Sequence, residues 1–155
     1  MPASKKLINY LQKNKVKYEI IPHRTVYTAY DLSQTLKVKP DIVGKTLLLK
    51  VDKNYGLAVL PASKNIDLKK FKKVFKVKEV KIVKENLIKK ILKIKPGTQT
   101  PFGALYKLPV YLDKSLIRQK KIIVCGGSYN EAIKISVKSL IKLENPKIGV
   151  FSKKK

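Results

Sequence analysis

Tryptophan is absent from this sequence of 155 residues, and cysteine, methionine and histidine occur once each. Each scarcity excludes something. A lone Cys125 cannot form an internal disulfide, which fits a reducing compartment. One histidine and one cysteine make no ligand cluster, so no metal is expected. No apolar run approaches the length that spans a bilayer. The opening Met1-Pro2-Ala3-Ser4-Lys5-Lys6 lacks the apolar stretch of a leader. The expected location is the cytoplasm, with no membrane partner. A P-loop and a dinucleotide fingerprint are both missing, so no cofactor is expected.

Acid is scarce too: 10 acidic residues face 36 basic ones, a net charge of +26. That balance exceeds what solubility needs and points to a polyanionic partner. Arg24 and Arg118 are the only arginines, so the other 34 of the 36 are lysines. Lysine is a point charge suited to phosphate, whereas arginine gives bidentate base readout. The pattern therefore favours backbone contact that weakens with salt. Codon bias in an AT-rich genome would also enrich lysine, so the charge is read as part footprint and part composition.

What is present is a globular chain, 44% apolar and long enough for one sizeable core. Ser4 and Thr28 are placed to cap helices, with Leu7, Ile8 and Leu11 on one face of the first and Ala29, Leu32 and Leu36 on one face of the second. Residues 46–51 and 57–60 read as a hairpin. Helices are expected from Asp67, with Leu68, Phe71 and Val74 inward, and over 85–93, with Leu87, Ile88, Ile91 and Leu92 inward. Strands are expected at 16–22, 80–83, 109–112, 122–125, 132–136 and 148–151, with a helical turn at 139–143. Several neighbouring strands are joined too tightly for parallel crossovers. The fold class is α+β, a mixed and largely antiparallel sheet flanked by helices. Residues 1–151 form one domain, and 152–155 read as a frayed basic tail.

Two segments carry the chemistry. Lys45 sits between Gly44 and the charge-free run 46–49, where burial would shift its pKa. Gly97, Thr98, Gln99, Thr100 and Pro101 form a stiff turn inside an uncharged stretch, 96–105, of an otherwise lysine-rich chain. Glycine there permits close approach and exposed backbone N–H groups. Gly126, Gly127 and Ser128 read either as a plain turn or as a pocket wall. His23 reads as structural, with catalysis the minority case, and Cys125 as core.

These motifs, in this order, resemble the YbaK / prolyl-tRNA-synthetase-associated editing domain family over roughly residues 18–143. The carriers are Pro22-His23 with the run 25–36 (TVYTAYDLSQTL), Val43-Gly44-Lys45-Thr46, Leu60-Pro61-Ala62, the 97–103 loop, the run 109–113 and Gly126-Gly127-Ser128. The resemblance implies a barrel-like sheet and a free-standing aminoacyl-tRNA deacylase. It implies Lys45 as the essential lysine and residues 97–101 as the loop that holds the aminoacyl group. His23, Thr25, Thr46, Gly126, Gly127 and Ser128 would line the substrate pocket. Thr46 stands where the alanyl-tRNA branch often has Asn, and Gly126-Gly127-Ser128 is closer to the branch whose founding type acts on cysteinyl-tRNA(Pro). The expected substrate is Cys- or Ala-tRNA(Pro), recognised at its acceptor stem and 3′ end, with an aminoacyl-tRNA synthetase as a further partner. The alternative is a catalytically silent RNA-binding protein of the same fold.

Overall fold

A computed structural model describes residues 4–155, so 1–3 of the leader reading lie outside the described residues. Helix α1 (Lys5–Lys13) starts where the Ser4 hydroxyl accepts from the Leu7 N–H, and it buries Leu7 and Leu11 completely. Strand β1 (Tyr18–Pro22) follows. Helix α2 (Ala29–Leu36) starts at Thr28, whose hydroxyl accepts from the Asp31 N–H. Strands β2 (Gly44–Val51) and β3 (Asn54–Pro61) form the expected hairpin, with Val51 opposite Asn54 across the turn. Then come β4 (Lys64–Ile66), α3 (Leu68–Phe75), β5 (Val80–Ile82) and α4 (Glu85–Leu92). The chain closes with β6 (Val110–Asp113), β7 (Lys121–Cys125), β8 (Glu131–Ser136), α5 (Val137–Glu144), β9 (Lys147–Gly149) and β10 (Ser152–Lys154).

The strands make three sheets, ordered β5-β2-β3-β6-β9, β1-β8-β7 and β10-β4. Among the described strands, β3-β6 and β6-β9 pair in parallel and the other pairs are antiparallel. The α+β class, mostly antiparallel, is what the sequence implied, but the barrel is not closed. On the edge of β2 away from β3, β5 pairs with residues 49–51, and β7 is joined to the chain leading into β2 by a bridge between Val43 and Ile123. Between those points, residues 44–47 have no strand neighbour on that edge among the described residues. This gap becomes the candidate site.

The main core lies where α1 and α5 cover the β7-β8 face, joining Leu7, Leu11, Ile122, Val124, Ile133 and Leu140. Smaller cores sit under α2, α3 and α4. Two inward expectations fail. Val74 is 42% exposed and Leu87 is 42% exposed, because each eight-residue helix turns only a narrow stripe to its sheet. The tail is also ordered. Residues 152–154 pair antiparallel with β4, and Phe151 is fully buried beside Phe71, ring centroids 5.4 Å apart. Buried Asp113 holds this segment: its Oδ1 accepts from the N–H groups of Phe151 (2.9 Å) and Ser152 (3.0 Å), and its Oδ2 accepts from the Ser152 hydroxyl (2.8 Å) and from Ser115.

Candidate functional site

The open stretch of β2 forms one wall of a cleft of about 220 Å³. Gly44, Lys45, Thr46 and Leu47 line it, with His23, residues 26–29 and Leu32 from the α2 side, and Gly97, Gln99, Cys125, Ser128 and Glu131 opposite. Four open grooves elsewhere are larger, about 640, 590, 360 and 240 Å³. None contains Lys45 or Gly97, which meet in the smaller cleft, while Thr98, Thr100 and Gly127 line the 590 Å³ groove.

Lys45 is half-buried, and burial lowers its pKa; the like charge of Lys155 lowers it further. Among the described residues, its ammonium has no hydrogen-bond or ion-pair partner. A desolvated, unpaired cation on the wall of a cleft is an anion site in waiting. Strand alternation adds backbone donors. The Leu48 carbonyl accepts from Val83 N–H on the β5 side. Groups two residues away point to the same edge, so the Thr46 N–H points into the gap.

The 97–101 turn behaves differently from its reading as a row of free donors. Gly97 N–H donates to the Gln99 side-chain oxygen (2.9 Å), Thr98 N–H to the Lys95 carbonyl, and Thr100 N–H to the Tyr106 hydroxyl. Gln99 N–H is the one amide of the turn without an intramolecular partner among the described residues. Thr98, Thr100 and Pro101 are buried and lie outside the cleft lining. They stiffen the turn instead of facing the cleft.

Gly97 is required by geometry. Its φ is +87°, and an added Cβ would stand 3.0 Å from the Tyr27 carbonyl oxygen. Tyr129 locks the same junction: its ring packs edge-on against Tyr27 (centroids 4.9 Å) while its hydroxyl donates to the Pro96 carbonyl (2.7 Å). Gly97→Ala is therefore expected to cost about 1–2 kcal/mol from the left-handed φ alone. It should also push the turn away from Tyr27. Thermal melts beside steady-state rates check this, and wild-type values for both would contradict it.

Of the other expected pocket residues, His23, Thr46 and Ser128 line the cleft, whereas Thr25, Gly126 and Gly127 do not. Thr25 is exposed. Gly126 and Gly127 anchor the start of α1: Ser4 N–H donates to the Gly126 carbonyl (3.0 Å), and a Cβ on Gly127 would meet the Ser4 side chain at 2.9 Å. His23 Nδ1 lies 2.6 Å from the Arg24 carbonyl, which only accepts, so Nδ1 carries the proton. Cys125 is more than core, since it lines the cleft floor with its Sγ 3.4 Å from the Ser128 carbonyl. Burial pushes its thiol pKa up, against hydrogen bonds from Gly127 and Ser128 that lower it. That leaves a thiol and not a thiolate nucleophile. Tyr27, Cys125 and Glu131 were missed by sequence reasoning. The glycines beside Cys125 were the one available signal.

Among the described residues, no group of His, Cys, Asp and Glu is disposed to hold a metal, and no helix is long and apolar enough to cross a membrane.

An aminoacyl-tRNA editing domain model matches residues 23–143. A prolyl-tRNA editing protein, ProX, of Acetoanaerobium sticklandii is 26% identical over 149 residues, 92% of this chain and 91% of that one. Among solved structures, a candidate trans-editing enzyme for prolyl tRNA synthetase superposes with TM-score 0.81 at 18% identity, covering 98% of this chain and 99% of that one. A hypothetical protein superposes with TM-score 0.88 at 17% identity, covering 96% and 100%. The family match encloses every residue of the cleft, and the chain belongs to the aminoacyl-tRNA editing domain family.

Proposed function

We propose that this chain hydrolyses the ester that joins a wrong amino acid to the 3′ end of tRNA, with Cys- or Ala-tRNA(Pro) as substrate. The observation that carries the reading is the half-buried Lys45 ammonium, without a hydrogen-bond or ion-pair partner among the described residues, on the open edge of β2 in the cleft that Gly97 also lines. The cleft volume suits a small aminoacyl group and not a whole nucleotide. The name of the Acetoanaerobium relative supports a prolyl-tRNA substrate.

An aminoacyl ester is already activated, so the site has mainly to position water and stabilise charge. Water adds to the ester carbonyl carbon, and its oxygen becomes an oxyanion. The C–O bond to the ribose then breaks, and the ribose oxygen leaves with a proton. The N–H groups of Thr46 and Gln99 are the available oxyanion donors. In this reading Lys45 acts as a cation and anchors the carbonyl region or a terminal phosphate. The substrate's own 2′-hydroxyl directs the water.

The test is deacylation of Cys-, Ala-, Ser- and Pro-tRNA(Pro) and Ala-tRNA(Ala). Selective hydrolysis of one mischarged species is expected, and it should survive Cys125→Ala and His23→Ala to within about tenfold. A larger loss in either variant would move the chemistry to that side chain. Tight RNA binding without hydrolysis of any member would make the protein a silent binder.

A further inference from the structure

The ordering of the C-terminal segment places a second cation at the mouth of the cleft. Antiparallel pairing of β10 with β4 carries the chain past Lys64 toward the loop that follows β3. There the Lys155 ammonium sits 4.8 Å above the ring of Tyr30. Tyr30 lies on α2 directly after Thr28 and Ala29, which line the cleft. Two ammonium groups, one half-buried, are thus close enough that the charge of Lys155 acts on Lys45. Repulsion between like charges disfavours this placement unless something else holds it. The strand pairing and the cation–π contact hold Lys155 in place, so the site carries a concentrated positive field before any ligand binds. Tyr30 is 47% exposed and neighbouring Tyr27 is 64% exposed, leaving aromatic faces at the same rim. Cations beside exposed rings are what single-stranded RNA requires, phosphate for the one and base stacking for the other.

We propose that Lys155, positioned by Tyr30, grips a backbone phosphate of the single-stranded RNA 3′ end and so delivers the terminal ester to Lys45. Lys155 is a positioning residue, since it acts on the substrate's backbone and not on the reacting carbonyl. The inference rests on the deacylase reading for its purpose, but the phosphate contact itself is testable without catalysis.

The first experiment measures binding of two uncharged RNA minihelices, one with a single-stranded CCA end and one blunt. The proteins are wild type, Lys155→Ala, Lys155→Arg and the control Lys138→Ala on the exposed side of α5. On the CCA-ended RNA, Lys155→Ala should weaken binding about threefold to tenfold and lower the log–log salt slope by about 0.7, the value for one single-strand phosphate. Lys155→Arg should restore both. On the blunt RNA, Lys155→Ala should match Lys138→Ala. On an aminoacylated minihelix, Lys155→Ala should raise KM by the same factor and leave kcat unchanged. The proposal is overturned if Lys155→Ala matches Lys138→Ala on both RNAs, or if kcat falls while KM holds. The weakened CCA binding together with a wild type that hydrolyses nothing would sustain the phosphate contact and sink the deacylase.

Discussion

Lys45→Ala should lower kcat/KM on the mischarged substrate by at least about 100-fold, the scale set by removing one preorganised charge-stabilising group, while leaving the fold as stable as before. The second half of that statement follows from the direction of the pKa shift. Burial, and then Lys155, disfavour the charged form of Lys45 in the folded state. The folded pKa therefore lies below the unfolded one. While the group is protonated the folded state bears the desolvation penalty, which fades as pH rises toward the ordinary lysine range. Removing the ammonium relieves that penalty. No described residue loses a hydrogen bond to the Lys45 ammonium. Lys45→Met, which keeps the stem, should melt at or above the wild-type temperature at neutral pH. A structural lysine would behave the opposite way, losing stability with activity. Paired measurement of rate and melting temperature separates the two, and retained hydrolysis in Lys45→Ala would remove the site assignment altogether. The combination of lost activity and kept stability is what a functional residue held at a thermodynamic cost predicts.

The parts of this site that could be read from sequence were those whose chemistry is local. Lys45 stood out because Gly44 precedes it and an uncharged apolar strand follows, and the Gly97 turn because it interrupts a lysine-rich chain. Thr28 and Ser4 were legible as caps because a hydroxyl's bond to an amide three residues on needs no tertiary information. The hairpin of β2 and β3 was legible for the same reason. What failed depends on contacts between distant segments. Strands β4 and β10 are three residues each and rich in lysine, so neither carries an alternating apolar signal; each is a strand only because the other is beside it. Whether the sheets close is set by how far β5 and β7 run along one edge of β2, a register that no local pattern encodes. Thr98 and Thr100 share the motif with Gly97 yet turn inward, Thr98 to the Lys95 carbonyl and Thr100 to the Tyr106 hydroxyl, because a tight turn cannot present every residue to one cavity. Cys125 looked like core from its apolar strand. It reaches the cleft because the strand ends there.

Asp113→Ala should destabilise the protein by about 3 kcal/mol or more. The carboxylate satisfies the buried N–H groups of Phe151 and Ser152, the Ser152 hydroxyl and the amide and hydroxyl of Ser115. An orphaned buried donor costs about 1–3 kcal/mol, and such costs do not add fully. For a chain of this size the loss corresponds to a fall of roughly 6–12 °C in melting temperature. Asp113→Asn, which keeps one acceptor oxygen, should lie between. The pH dependence has a definite sign. Burial raises the Asp113 pKa, but the hydrogen bonds from Ser115, Phe151 and Ser152 outweigh it and hold the folded value below the ordinary carboxylate range. Its stabilisation is therefore complete at neutral pH and is lost as pH falls below the ordinary carboxylate range through the lowered folded pKa. The gap in stability between wild type and Asp113→Ala should be full at pH 7 and narrow in acid; a gap that is constant or widens in acid would contradict the assignment. The variant also links fold to site. Asp113 fastens the backbone at 151–152, three residues before Lys155. Amide exchange at Phe151 and Ser152 should then quicken in Asp113→Asn before the rest of the sheet opens. If Lys155 serves RNA binding only because this anchor positions it, Asp113→Asn should lose the same selectivity for a single-stranded 3′ end that Lys155→Ala loses, although Asp113 itself is buried and cannot touch the RNA.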